Sequence, residues 1–239
     1  MMSQRTQGVA LIVTCEHGGN RVPAAYVEWF AGAGKALASH RGYDPGALTM
    51  ARTLVRRLNG QLIFATVSRL VVELNRSTTN PRLFSPFIRQ APDAIRRKIF
   101  ERYYVRYWTS VQQAVQHALE KHSRVLHIGS HSFTPVLDGR VRDADIGLLY
   151  DPGRSGEAQL CARWRDALCR RSPQWKVRRN YPYAGASDGL TRELRRRFSA
   201  SRYIGIELEI NQRHPLADRS AWKAMQREIA ASLGDVLDA

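Results

Sequence analysis

The hydrophobic and polar positions of this chain alternate between two periods. Short runs of β-branched and aliphatic residues at 10–13, 62–67, 70–74, 125–130, 146–150, 175–178 and 203–210 have the length and composition of strands. Between them lie segments of helical period. The segment 44–58 puts Leu48, Ala51, Leu54, Val55 and Leu58 on one stripe, with Asp44 and Pro45 as N-cap and first helical residue and Asn59-Gly60 as the stop. Further helices are expected over 93–121, over 155–170 with Leu160, Cys161, Trp164, Ala167 and Leu168 inward, and over 190–198 and 221–237. A shorter packed helix is expected within 23–34, around Tyr26, Trp29 and Phe30. Strands alternating with helices predict an α/β fold with a mostly parallel central sheet flanked by helices, in a single domain over 1–239.

The first strand stops abruptly. Its apolar run ends in Glu16-His17-Gly18-Gly19-Asn20, and the glycine pair is expected to permit a tight turn with unusual backbone angles. Polar clusters at the exits of buried strands are where open α/β sheets place ligands. Two later strands end in the same way, in His131-Ser132 and in Glu207-Leu208-Glu209. Two long irregular stretches, 77–91 and 180–189, are the other candidates for function, because long ordered loops are commonly functional.

Charge narrows the partners. Lys and Arg number 37 against 21 Asp and Glu, a formal +16 that favours anionic partners. The basic residues are dispersed in short clusters such as Arg96-Arg97-Lys98 and Arg195-Arg196-Arg197, mostly on expected helices. That pattern suits solvated helix faces and a small acidic substrate better than nucleic acid. No segment approaches the ~18 apolar residues of a membrane span. The polar lead 1–8 lacks the apolar region of a secretory signal, so a cytoplasmic location is expected. Cys15, Cys161 and Cys169 are odd in number and lack CxxC spacing, which argues against a disulfide framework and against a cysteine zinc site.

The three strand exits carry the chemistry. Two histidines and a carboxylate, with one coordination position open, are what a catalytic zinc site requires. A further carboxylate must then take the proton of the activated water and hand it to the leaving amine. In the last strand Ile204, Ile206, Leu208 and Ile210 alternate with Tyr203, Gly205, Glu207 and Glu209, which forces both glutamates onto one face. Carboxylates buried there need a metal, a basic group or a catalytic role; otherwise the segment is an edge strand with a solvated acidic face. Asn75-Arg76, at another expected strand exit, offers a guanidinium and an amide suited to a carboxylate. His40, His127 and Asp188 are further candidates, with His127 expected as a packed core residue and His117, His122 and His214 as surface residues.

Taken together and in order, Cys-Glu-His-Gly-Gly-Asn (15–20), Tyr-Asp-Pro-Gly-Ala (43–47), Glu-Leu-Asn-Arg (73–76), His-Ser-Phe-Thr-Pro (131–135), Asn-Tyr-Pro-Tyr-Ala-Gly (180–185) and Gly-Ile-Glu-Leu-Glu-Ile-Asn (205–211) resemble the N-formylglutamate amidohydrolase family. The resemblance implies a phosphorylase/hydrolase-like fold related to zinc carboxypeptidases, and zinc-dependent hydrolysis of a small anionic N-acyl amino acid. It implies that His17 and His131 are metal ligands, that Glu209 is the general base, and that Asn75 and Arg76 hold the substrate carboxylate. The carboxypeptidase relatives use a His-x-x-Glu motif whose Glu opens a helix. Here Asn20 stands three residues after His17, so the third ligand is taken to be Asp44, with Glu16 and Asn20 as alternatives. Tyr183 is placed over the substrate or at the oxyanion. The chain reads Glu-His-Gly-Gly where formylglutamate-cleaving members typically read Pro-His-Ser-Gly, which implies a sister branch with its own acyl group or amino acid.

Overall fold

The computed structural model describes residues 6–238, so residues 1–5 of the polar lead, and residue 239, lie outside the described residues. Along the chain run β1 (Thr6–Cys15), a 3-10 stretch (Ala24–Phe30), α1 (Gly34–Leu37), α2 (Ala47–Leu58), β2 (Gln61–Phe64), α3 (Pro86–Arg89), α4 (Asp93–Ile99), a π-helical stretch (Phe100–Val105) and α5 (Arg106–Lys121). There follow β3 (His122–Phe133), β4 (Val136–Leu137), β5 (Arg140–Val141), β6 (Ile146–Leu149), α6 (Ser155–Arg171), β7 (Val177–Arg179), α7 (Leu190–Arg197), β8 (Tyr203–Asn211) and α8 (Arg219–Leu237).

Six strands form the central sheet in the order β2-β1-β3-β8-β6-β7. Every pairing is parallel except β6 with β8, so the predicted, mostly parallel α/β sheet is present. Strands buried on both faces need helices on both, and the chain supplies them. On one face α2, α6 and α8 pack on Leu11, Val13, Leu126, Ile128 and the four aliphatics of β8. On the other, Tyr107, Val111 and Val115 of α5 cover Ile12, Val125 and Tyr203. The alternation along β8 therefore works as expected, but the strand is central rather than an edge, and Glu209 is buried instead of solvated.

Three local expectations are corrected. Residues 70–74 are buried but form no strand, because Ser68 turns the chain: its hydroxyl accepts from the Leu70 N–H and donates to the Gly42 carbonyl. The helix after Asp44 begins at Ala47, with Gly46 as its N-cap at φ 84°, and the Asp44 side chain points elsewhere. A Cβ on Gly46 would also lie 2.4 Å from Pro215, so both backbone angle and space demand glycine there. Gly18 and Gly19 are needed for close approach and not for left-handed angles, since a Cβ on either would sit 2.8 Å from the carbonyl oxygen of Ala65 or Thr66. The helix expected over 93–121 is present as one continuous helical run, with a π-helical stretch inside it. Among the described residues no helix is long and apolar enough to cross a membrane.

Candidate metal centre

The residues that matter gather at the carboxyl ends of β1, β3 and β8. His17 follows β1, His131 lies within β3, and Glu209 is the register partner of His131 on β8. Asp44 is brought in by the turn before α2, its N–H donating to the His17 carbonyl at 2.9 Å. One carboxylate oxygen of Asp44, Oδ2, lies 3.3 Å from His17 Nδ1 and 3.2 Å from His131 Nδ1. Ligand atoms of His17, Asp44 and His131 all fall within 4.8 Å of one another, and all three residues are buried. Such a cluster can hold a divalent metal ion.

The outer atoms of both imidazoles are held by carboxylates. His17 Nε2 meets Glu73 Oε1, and His131 Nε2 lies 3.1 Å from Glu16 Oε2. A carboxylate on Nε2 keeps the proton there and leaves the Nδ1 lone pair facing the cluster, which is how metal-ligating histidines are oriented. Glu16 is steadied in turn by the Tyr107 hydroxyl, which donates at 2.7 Å, and Glu73 by the Arg69 Nε–H at 2.8 Å and the Asn75 N–H at 3.0 Å. Arg69 also reaches Asp44 Oδ1 at 3.3 Å.

Charge agrees with the donor set. Asp44, Glu16 and Glu73 bring three negative charges against the single guanidinium of Arg69. With neutral imidazoles two negative charges remain, the complement of a divalent ion. Without one, burial tends to neutralise the imidazoles and acids, but their mutual contacts outweigh it. His131 is held well above the usual imidazole range by Asp44 and Glu16, and Glu16 is held at about 2 by His131 and His17. Asp44 and Glu73 are likewise lowered, against burial, by His17 and by Arg69 respectively.

Glu209 behaves differently. Burial pushes its carboxyl up to about 8, with Asp44 and Glu207 adding to the rise against His131, and its Oε2 is a buried atom without a hydrogen-bond partner. An acid in that state is poised to exchange a proton near neutral pH. Glu207 is tied to the Thr191 hydroxyl at 2.9 Å.

The remaining expectations divide. Of the alternative third ligands, Glu16 sits behind His131, and Asn20 turns away to the Leu37 carbonyl at 3.1 Å. Asn75 and Arg76 lie beside the cluster and are half-buried, but both already hold the 180–189 loop: Asn75 Oδ1 accepts from the Leu190 N–H at 2.8 Å, and Arg76 donates to the Asp188 carbonyl at 2.7 Å. Asp188 anchors the other loop through Ser77 and Asn80. Tyr183 is 45% exposed; its hydroxyl accepts from Arg142 at 2.9 Å and its ring lies under that guanidinium. His127 is a core residue as expected, placed between Thr14 and Tyr203. Cys15, Cys161 and Cys169 are free.

Sequence reasoning missed Glu73, Arg69, Tyr107 and Arg142. Glu73 stood inside a recognised motif without a role, and the false strand at 70–74 hid its pairing with Arg69, four residues earlier. Tyr107 and Arg142 carry no local signal; only the tertiary fold aims them.

Comparison with known proteins shows the family and the fold. No curated protein matches the chain. Among solved structures, a gene product from Agrobacterium tumefaciens is 28% identical with a TM-score of 0.77, over 98% of this chain and 92% of the other. An N-formylglutamate amidohydrolase from Ralstonia eutropha shares the fold at 20% identity and TM-score 0.69, over 97% and 94%. The family model for N-formylglutamate amidohydrolase matches residues 9–214, a span that includes every residue of the cluster. The chain belongs to the N-formylglutamate amidohydrolase family.

Proposed function

We propose that the protein is a zinc-dependent amidohydrolase that cleaves the amide of an N-formyl or other N-acyl amino acid, with an acidic amino acid such as glutamate as the amine product. The observation that carries this reading is the convergence of Asp44 Oδ2 and the two histidine Nδ1 atoms beside the unpartnered Oε2 of Glu209. His17, Asp44 and His131 would hold the metal, leaving at least one position open. A bound zinc ion supplies Lewis acidity for the acyl carbonyl and lowers the pKa of a water to near neutrality.

The chain's own residues do the rest. Glu209 takes the proton of the attacking water at Oε2 and delivers it to the departing amine nitrogen. Glu16 and Glu73 keep both imidazoles in the tautomer that presents Nδ1. Asn75 and Arg76, fixed to the 180–189 loop, hold the α-carboxylate of the substrate with the N–H groups they have left. Tyr183 covers the mouth and carries Arg142, which has no carboxylate partner among the described residues and is placed to meet a second acidic group. Metal analysis of the purified protein and formate release from N-formyl-L-glutamate test the reading. Protein that holds no metal, and that added zinc does not activate, would overturn it.

A further inference from the structure

Between β2 and α5 lies a cavity of about 340 Å³, with Tyr107 in its wall. Its walls are apolar, with Ile63, Val67, Val72 and Leu74 among them, and Arg21, Arg102 and Arg106 stand in its lining. Among the described residues none of these three exposed arginines makes an ion pair. The adjoining hollow repeats the charge, with Lys98, Arg102 and Arg106 against a single acid, Glu101. The π-helical stretch Phe100–Val105 forms part of this wall. Arg102 and Tyr103 lie in it and Arg106 and Tyr107 just beyond, and all four line the cavity. Insertions of that kind are concentrated at functional sites.

An apolar hollow ringed by unpaired guanidinium groups is complementary to one class of ligand. We propose that this cavity binds a small amphipathic anion, a carboxylate carried on an aliphatic tail, and that its occupancy is felt at the metal centre. The tail lies along Ile63, Val67, Val72 and Leu74, and the arginines take the carboxylate. The link to the metal centre is short. Tyr107, a wall of the cavity, donates to Glu16 Oε1 at 2.7 Å, and Glu16 Oε2 lies 3.1 Å from His131 Nε2. Val72 and Leu74 flank Glu73, which holds the other histidine. A ligand that shifts Tyr107 therefore acts on the outer support of a metal ligand, and linkage makes the effect reciprocal.

The test uses octanoate as probe and metal-loaded protein, with calorimetry for octanoate binding and chelator competition for metal affinity. Octanoate is expected to bind, octanol to bind at least tenfold more weakly, and the Arg102→Gln/Arg106→Gln pair to weaken octanoate at least tenfold while retaining metal. Metal affinity is expected to change severalfold when octanoate saturates the wild type, and to stop responding in Tyr107→Phe. Octanoate binding that ignores the arginine pair places the probe at the metal centre and overturns the site. Equal binding of octanol overturns the anion requirement. RNA binding that is abolished by the arginine pair, with no octanoate binding, overturns the proposal in favour of a nucleic-acid surface. An unchanged metal affinity at saturating octanoate overturns the link through Tyr107.

Discussion

His131 and Glu209 face each other as register partners on the adjacent parallel strands β3 and β8. Residues so paired share one face of the sheet, so the carboxyl group with the free Oε2 is held beside an imidazole by the backbone ladder itself and not by a loop. Glu209→Gln keeps shape and packing but removes the proton acceptor. The variant should retain metal and substrate affinity within a few-fold and lose activity by roughly a hundred- to ten-thousand-fold. Steady-state kinetics with metal stoichiometry on the same sample checks this; a variant that turns over normally would dismiss Glu209 as the base.

The carboxylates behind the imidazoles should matter nearly as much as the ligands. Glu73→Gln and Glu16→Gln each leave the donor cluster intact but release the tautomer of one histidine. Each is expected to weaken metal binding about 10–100-fold. Competition against a chelator of known affinity measures it, and unchanged affinity in both variants would show that the imidazoles are oriented by other contacts.

Under the proposed function two guanidinium groups meet the substrate, and they should be separable. Arg142→Gln removes a charge that no acid among the described residues pairs with, so KM for N-formyl-L-glutamate should rise roughly ten- to a hundredfold, the range of a charged hydrogen bond, with kcat nearly constant. For N-formyl-L-glutamine the same change should be small. Arg76→Ala should raise KM for both substrates, and it should also loosen the 180–189 loop because the Asp188 carbonyl loses its donor. A normal KM in Arg76→Ala would remove it from the clamp.

His127 sets a pH limit on the fold. It is fully buried between the Thr14 hydroxyl at 2.8 Å and the Tyr203 hydroxyl at 2.6 Å, and burial lowers its pKa from 6.5 to about 4. The unfolded chain therefore binds more protons than the native one between those two values. Stability from this residue is fully present above pH 6.5 and declines as pH falls towards 4, by about 3 kcal/mol over the interval. Denaturant melts at both ends of that range, on wild type and on His127→Gln, should show the extra acid loss in the wild type alone.

What could be read from the residues, and what could not, follows from range. The face of β8 was legible because its alternation is unbroken over eight positions, and the helix stripes were legible for the same reason. Asp44 shows where local reasoning stops. An Asp before a Pro and a Gly has every mark of a helix cap, yet its carboxylate turns to two histidines 27 and 87 residues away, and glycine opens the helix instead. The run at 70–74 looked like a strand because burial and β-propensity are local, whereas the unpaired position that a strand needs at the sheet's edge is not. Tyr107 and Arg142 act at sites assembled from distant segments, and nothing in their own neighbourhoods announces it.

The place of β8 in the sheet has a consequence for how the molecule is made. His17, Asp44 and His131 lie before residue 132, while Glu209 arrives on β8, the last strand of this sheet in chain order. That strand does not add to a margin; it slots between β3 and β6, and until it does the half of the sheet containing β6 and β7 has nothing to join. Completion of the sheet thus waits on a long-range pairing, the kind that slows folding. A nascent or truncated chain can gather His17, Asp44 and His131 well before it possesses Glu209, the proposed base.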